Sequence, residues 1–204
     1  MRWWLFAGKL WMGRKIRVEA GGLIFGALAL LVLPLDWFLA AIYAAGIHEL
    51  GHYVCIRAMG IPVVSLSISA GGCRMETGEM TPGQEFLCAL AGPMASLTLA
   101  CFRKWMPLVS FCALVQGLFN LLPMYPMDGG RILRCVAGER TGKIVSMETA
   151  LSLAGLGIYL SFSQNLGPVP AIFGGILLIR HLKTKNSLQT GGSHGTIELP
   201  FFKR

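Results

Sequence analysis

Charged residues are scarce in this sequence, since Asp, Glu, Lys and Arg make up only 14% of its 204 positions. Soluble globular domains carry about 25% charged residues. Hydrophobic residues account for 54% of the chain, and many of them lie in long runs. This balance argues against a soluble domain and predicts an α-helical polytopic membrane protein.

Paired cysteines are also lacking, because the six cysteines are scattered and none forms a Cys-x-x-Cys pair. We therefore expect free, buried thiols rather than a disulfide framework. No small-residue cleavage site follows the first apolar run, so we expect no cleavable signal peptide.

An interleaved patch of basic and aromatic residues is missing too, although the formal net charge is +8. Nucleic-acid-binding proteins cluster their Lys and Arg residues on one face. Here the basic residues flank the apolar runs, as membrane topology requires. We therefore expect a lipid bilayer as the partner of this charge and no nucleic acid.

Apolar runs divide the chain into about six predicted transmembrane helices. They cover residues 21–35, 37–59, 86–102, 106–122, 147–164 and 169–182. The first run is short for a span of about 20 residues. We predict a basic cytoplasmic or interfacial segment at 1–17, a membrane domain at 18–182, a basic loop reaching Lys143 and a flexible cytoplasmic tail at 183–204.

A short polar interruption separates the second and third runs. Residues 62–69 alternate apolar with small polar side chains, and Gly71-Gly72 interrupts this pattern before a possible returning strand. Period-two alternation followed by a glycine pair predicts a small membrane-associated β-hairpin. An ordinary surface loop is the alternative, because a signal this short is ambiguous.

Orientation follows from the distribution of basic residues. If the N-terminus is cytoplasmic and the hairpin does not cross, all but two of the eighteen Lys and Arg residues lie inside. The exceptions are Arg103 and Lys104. The positive-inside rule therefore predicts a multi-pass protein of the cell membrane with both termini in the cytoplasm.

The chemical centre of the sequence is His48-Glu49-Leu50-Gly51-His52, which lies inside the second apolar run. Residues four apart share one face of a helix, so His48 and His52 can bind one cation together. Glu49 lies one position round the helix, where it can act as a base without ligating. This arrangement predicts a hydrolytic zinc site.

A third ligand is needed, because catalytic zinc sites usually have three protein ligands. The sequence has only two aspartates, and Asp36 is too far along the second helix from His48. Asp128 lies in a Pro/Gly-rich segment at the end of an apolar run, where an ionisable group is a functional candidate. The alternative is a helix cap paired with Arg131. For His181 and His194 we expect solvated or interfacial positions.

Two motifs in this order resemble the site-2 protease family of intramembrane zinc metalloproteases (peptidase family M50). They are His48 to His52 and the stretch from Asn120 to Gly129, Asn-Leu-Leu-Pro-Met-Tyr-Pro-Met-Asp-Gly. The likeness covers about residues 18–182 and is nearest to the branch containing the sporulation stage IV protease. The Gly-Pro-x-x-Asn element of the family reads Gly92 to Ser96 here, with serine replacing asparagine.

The resemblance assigns a role to each motif residue. His48, His52 and Asp128 would hold Zn²⁺, and Glu49 would activate the water. Asn120 and Pro123 would bind substrate, although Asn120 could instead make a polar contact between helices. Sporulation members commonly append a CBS pair after the last span; this sequence is too short for one, so we expect no nucleotide regulation through it.

The function expected from the resemblance is cleavage of a membrane-associated protein near the cytoplasmic face. The substrate would be a sigma-factor precursor of the pro-sigma-K type, processed in the mother-cell membrane around the forespore under a regulatory membrane-protein inhibitor. The nearest alternative is a general site-2 protease that cleaves anti-sigma factors or signal-peptide remnants. A metal carrier or non-catalytic membrane scaffold is the alternative from another class.

Overall fold

The computed structural model describes residues 15–69, 72–164 and 167–190, which form six helices and three strands. In chain order these are β1 (Lys15–Val18), α1 (Ala20–Val32), α2 (Leu35–Ala58), β2 (Val63–Ser69), β3 (Gly72–Thr77), α3 (Pro82–Ala100), α4 (Pro107–Asn120), α5 (Asp128–Ser163) and α6 (Val169–Thr190). Most of the predicted N-terminal segment, and the predicted tail from residue 191, lie outside the described residues.

Two of the helices are long and apolar enough to cross a membrane by length and composition, α2 with 24 residues and α5 with 36. Helices α1 and α4 and the first part of α6 are shorter apolar segments. The predicted helical architecture is confirmed, whereas the number of spans remains a prediction. Helix α6 continues to Thr190, past the predicted end of its run at Leu182.

Helix α2 has the reverse of the pattern found in a soluble protein. Its buried face carries Ala40, Ala44 and His48, four residues apart, while large apolar side chains on other faces, such as Ile42 and Val54, are more than half exposed. A helix with small and polar residues inside and apolar residues outside suits a lipid environment. This pattern brings His48 into the protein interior.

Helix α3 begins with strong local signals and packs against α2, α4 and α5. The Thr81 hydroxyl accepts from the Gln84 amide N–H, and the Gln84 side chain accepts from the Thr81 amide N–H in a capping box. Pro82 occupies the first helical position, where its missing N–H costs nothing. This start fixes which residues of α3 face the two histidines.

The three strands form a small mixed sheet with the order β1-β2-β3. Strands β2 and β3 lie between α2 and α3 in the chain, whereas β1 precedes α1. Strands β2 and β3 form the predicted antiparallel hairpin, with Leu66 opposite Met75. Its buried side includes Met75, which packs with Ile56 of α2 and Cys88 of α3. The hairpin is therefore attached to the two helices that carry the histidine site.

Two sequence predictions need correction. The end of the predicted interfacial segment (residues 15–17) and the first residue of the predicted membrane domain, Val18, form the strand β1, which pairs in parallel with β2. Four residues give too short a pattern to predict a partner fifty positions away. The predicted basic loop before Lys143 is instead part of α5, which is interrupted only at Gly138, where φ is +82°. The helical spacing of apolar residues here was obscured by the surrounding charges.

Candidate metal centre

Three donor atoms converge between α2 and the start of α5. The Nε2 atom of His48 lies 3.1 Å from Asp128 Oδ2, and the Nε2 atom of His52 lies 3.2 Å from the same oxygen. The two Nε2 atoms are 3.2 Å apart. The structure therefore brings together the three side chains that the sequence analysis names as candidate metal ligands.

The geometry of this triangle fits a zinc ion. Zinc binds nitrogen and oxygen at about 2.0–2.1 Å in a tetrahedron, whose ligand atoms are then about 3.3 Å apart. The Nδ1 atom of His52 lies 2.7 Å from the Cys88 carbonyl, which can only accept, so in the neutral ring Nδ1 carries the proton. Its Nε2 lone pair then faces a carboxylate oxygen, an arrangement that a shared cation stabilises.

Close contact between α2 and α3 makes room for His52. A Cβ atom added at Gly92 would overlap the His52 ring, and one added at Gly51 would lie 2.7 Å from the Ala91 carbonyl oxygen. Pro93 follows Gly92 within the helix. The Gly-Pro element of α3 therefore has a direct geometric role, since only glycine leaves space for the imidazole.

Both histidines also have a partner for the ring nitrogen that faces away from the triangle. His48 Nδ1 lies 2.9 Å from the Ser96 hydroxyl, which is completely buried. His52 Nδ1 donates to the Cys88 carbonyl, as described above. Such contacts orient metal-binding imidazoles. Ser96, which replaces the asparagine of the family element, thus contacts the metal centre through His48.

Asp128 is fixed by a buried network of charges. Its second oxygen, Oδ1, lies 3.7 Å from Arg131 Nη1, and Arg131 Nε lies 3.6 Å from Glu85 Oε1. Arg134 forms a further ion pair with the same Glu85 oxygen. The alternative, a helix cap paired with Arg131, holds only for the pairing, because Met127 and not Asp128 is the cap residue of α5. The pairing leaves Oδ2 directed at the histidines, since it uses the other oxygen of Asp128.

A cavity of about 250 Å³ opens beside the three donor atoms. Glu49 lines it, and so does Asn120, whose side-chain amide donates to the Gln116 carbonyl at 3.1 Å. Pro123 is not among the lining residues, whereas Pro126 is. The cavity therefore presents a carboxylate and an amide next to the candidate metal position.

Strand β3 forms one wall of this cavity through Gly72, Cys73 and Met75. Within the described sheet β3 pairs with β2 alone, so no described strand pairs with its other edge. The predicted hairpin thus lies directly beside Glu49 and the histidines. Its position could not be read from the sequence, because the hairpin signal carries no information about its tertiary partner.

One expectation about the histidines was wrong. His181, expected to be solvated or interfacial, is 5% exposed, and its Nδ1 lies 3.0 Å from the Ser146 hydroxyl. The basic residues that follow it suggested an interface, but α6 packs closely along α5 and encloses the ring. His194 lies outside the described residues.

The profile of peptidase family M50 matches residues 102–164. This region contains Asn120 and Asp128, while the two histidines precede it. The profile match therefore covers the second motif and not the first.

Curated relatives agree with this match. Zinc metalloprotease MJ0392 of Methanocaldococcus jannaschii is 29% identical over 131 residues, which are 57% of this chain and 38% of that protein. Stage IV sporulation protein FB of Bacillus subtilis is 31% identical over 134 residues, which are 58% of this chain and 46% of that protein. The matched region spans less than half the length of these relatives.

A solved structure has the same fold. The site-2 protease from Methanocaldococcus jannaschii superposes with a TM-score of 0.61 at 20% sequence identity, covering 84% of this chain and 91% of that one. The profile match, the relatives and the shared fold thus agree in showing that the chain is similar to proteins of peptidase family M50.

Proposed function

We propose that this chain is a zinc-dependent intramembrane protease in which His48, His52 and Asp128 bind the metal and Glu49 is the catalytic base. The observation that carries the proposal is the triangle of donor atoms, 3.1–3.2 Å on each side, next to a cavity lined by Glu49. A relative named as a zinc metalloprotease supports the choice of metal and reaction.

Zinc bound here would lower the pKa of a coordinated water and polarise the peptide carbonyl. Glu49, next to His48 in the chain, takes the proton of the attacking water and returns it to the leaving amine. His48 and Asp128 are buried, which strengthens the electrostatic contacts between them. Arg131 holds the Oδ1 atom of Asp128 and leaves Oδ2 for the metal.

Substrate binding is assigned to the wall of the cavity. Asn120, which lines the cavity, offers an amide to the backbone of the substrate near the scissile bond. Pro123 lies between Asn120 and Asp128 in the chain but outside the cavity lining, so its proposed role in substrate binding would be indirect. The open edge of β3 accepts an unwound substrate as an added strand. A helical substrate hides its carbonyls, so this pairing also keeps the cleaved segment extended.

The exposed apolar faces of α2 and α5 support a position in the cell membrane. We propose a multi-pass topology with both termini in the cytoplasm, because the basic residues then follow the positive-inside rule. His48 and His52 lie in the second half of α2, so they would hold the metal closer to the cytoplasmic face. Cleavage there would release a product into the cytoplasm.

The proposed substrate is a membrane-associated sigma-factor precursor of the pro-sigma-K type, restrained by a regulatory membrane-protein inhibitor. The stage IV sporulation relative supports this choice. Co-expression with such a precursor, and separately with an anti-sigma factor, followed by mapping of the cut, tests it. Cleavage of the anti-sigma factor alone would favour a general site-2 protease instead.

The catalytic assignment is tested by Glu49→Gln, with Glu148→Gln as the control because Glu148 is exposed on α5. We expect Glu49→Gln to retain stoichiometric zinc and to cleave a co-expressed substrate about 10²–10⁴-fold more slowly. The control should behave like the unaltered chain. Unchanged cleavage by Glu49→Gln would refute the base, and zinc binding without any cleavage by the unaltered chain would favour a metal carrier or scaffold.

A further inference from the structure

A buried polar pair lies outside the metal centre, between α5 and α6. Ser146 is completely buried and His181 is 5% exposed, and the serine hydroxyl lies 3.0 Å from His181 Nδ1. Polar groups are costly inside an apolar contact between helices unless each is hydrogen-bonded. A pair of this kind therefore suggests a role beyond packing.

The pair contacts the segment that carries Asp128. The amide N–H of Tyr125 donates to the Ser146 hydroxyl oxygen at 2.8 Å, three residues before Asp128. That segment has no regular secondary structure, so its backbone donors need partners from elsewhere. Ser146 supplies one, and His181 fixes the rotation of the Ser146 hydroxyl from the opposite side.

Short backbone contacts transmit the position of Tyr125 to Asp128. The Met127 amide donates to the Met124 carbonyl at 2.8 Å, and the Gly130 amide lies 3.2 Å from the Met127 carbonyl. A Cβ atom at Gly130 would lie 2.8 Å from the Tyr125 nitrogen. The segment and the first turn of α5 therefore have little freedom to move separately.

Helix α6 is itself held firmly on α5. A Cβ atom at Gly174 would lie 2.9 Å from the Ala154 Cα atom, and one at Gly157 would overlap the Pro170 carbonyl oxygen. One turn from the polar pair, Ala150 and Leu177 pack with methionines of the Asp128 segment. His181 is thus placed by close contacts between the two helices.

We propose that Ser146 and His181 are positioning residues for the metal centre, which hold Asp128 at its ligand position through the Tyr125 amide. The inference rests on the proposed function, because it presupposes that His48, His52 and Asp128 bind zinc. It adds a contribution from α6 to that binding. It predicts that loss of either side chain weakens zinc binding, although neither contacts the three donor atoms.

The test measures zinc affinity by chelator competition on the detergent-solubilised full chain, for Ser146→Ala and His181→Leu. Ser161→Ala is the matched control, because Ser161 also lies on α5 and accepts from a backbone amide of α6, that of Ala171, at 3.0 Å. Ser161 lies fifteen residues beyond Ser146, about 22 Å along the helix. Both serine variants remove the same kind of hydrogen bond.

We expect Ser146→Ala and His181→Leu to bind zinc about tenfold more weakly, at the lower end of the range for groups behind a metal ligand. The Co²⁺-substituted protein should show a shifted visible absorption spectrum in both variants. Ser161→Ala should keep the affinity and spectrum of the unaltered chain. His181→Gln, which retains a hydrogen-bonding side chain, should recover most of the affinity and covers the case in which His181→Leu does not fold.

A purely structural role gives a different result. Ser146→Ala and Ser161→Ala would then lower the thermal midpoint alike and leave zinc affinity unchanged, and this outcome would overturn the inference. The proposed function is checked in parallel with the unaltered chain and His48→Ala. If the unaltered chain bound no zinc, both proposals would fail; if it bound zinc and Ser146→Ala bound it equally well, only this inference would fail.

Discussion

The metal centre has two halves that are built in opposite ways. His48 and His52 lie one turn apart on the regular helix α2, and α3 contacts the second nitrogen of each ring. Asp128 lies at the start of α5, after a segment without regular secondary structure. The first half is positioned by helical periodicity, whereas the second is positioned by individual tertiary contacts.

This difference determines how each half responds to substitution. In the helical half, the neighbours of the histidines are side chains and a carbonyl on one adjacent helix. In the irregular half, the two glycines that follow Asp128, Gly129 and Gly130, lie against backbone atoms of residues 121–125, which cannot move without disturbing the segment. A change in the helical half should therefore lower metal affinity selectively, and a change in the irregular half should lower stability as well.

The largest effect is expected for Gly129→Ala. The added Cβ atom would overlap the carbonyl oxygens of Leu121 and Leu122, which are backbone atoms. Overpacking of this kind costs on the order of 3 kcal/mol. We expect a lower thermal midpoint together with loss of zinc, measured on the purified protein. Gly155→Ala on the same helix meets no atom within 4 Å and should change neither quantity.

Gly92→Ala should lower zinc affinity with little loss of stability. Its Cβ atom would overlap the His52 ring, a side chain that can rotate away without disturbing α3. We expect the thermal midpoint to fall only slightly while zinc affinity falls at least about 100-fold, because a ligand leaves its position. Gly83→Ala, at the start of α3, meets no atom within 4 Å and is the control. Equal losses of stability in Gly92→Ala and Gly129→Ala would contradict the proposed difference between the halves.

The same difference explains what the sequence could predict. The i, i+4 spacing of His48 and His52 needs only helical geometry, so the first half followed from the sequence directly. Asp128 was named as a candidate because the sequence has only two aspartates and Asp36 is too far from His48, and its assignment depended on pairing it with the first motif. The contacts that hold it, from Glu85 and Ser146, join residues distant in sequence. No periodicity predicts such contacts, and the burial of His181 was missed for the same reason.

Ser96→Ala, in the helical half, should lower zinc affinity by less than Gly92→Ala does. The change removes the hydroxyl that lies 2.9 Å from His48 Nδ1 and leaves the helix intact. We expect zinc to bind about 10–100-fold more weakly. Ser110→Ala is the control, since that buried hydroxyl donates to the Leu99 carbonyl away from the site. Ser96→Asn, which restores the residue of the family element, should bind zinc more tightly than Ser96→Ala if an orienting hydrogen bond is what matters.

The smallest effect is expected at Cys73, which lines the cavity from β3 and touches neither half directly. We expect Cys73→Ser to cleave substrate at a rate within about twofold of that of the unaltered chain, since packing is largely preserved.

Burial, with a further contribution from the nearby Glu49 carboxylate, raises the pKa of the Cys73 thiol to about 12. At pH 8 only about one thiol in 10⁴ is then ionised, so alkylation by iodoacetamide should be slow and should accelerate about tenfold per pH unit up to pH 10. A chain retaining Cys73 as its single cysteine allows the alkylation rate to be followed by mass spectrometry, and the matching chain with only the exposed Cys101 is the control.

Because the group added to Cys73 would fill space beside Glu49, proteolytic activity should fall in step with labelling at Cys73 and stay constant with labelling at Cys101. Full activity after complete labelling of Cys73 would show that substrate does not pass along β3, and the strand-pairing route to the metal would have to be abandoned.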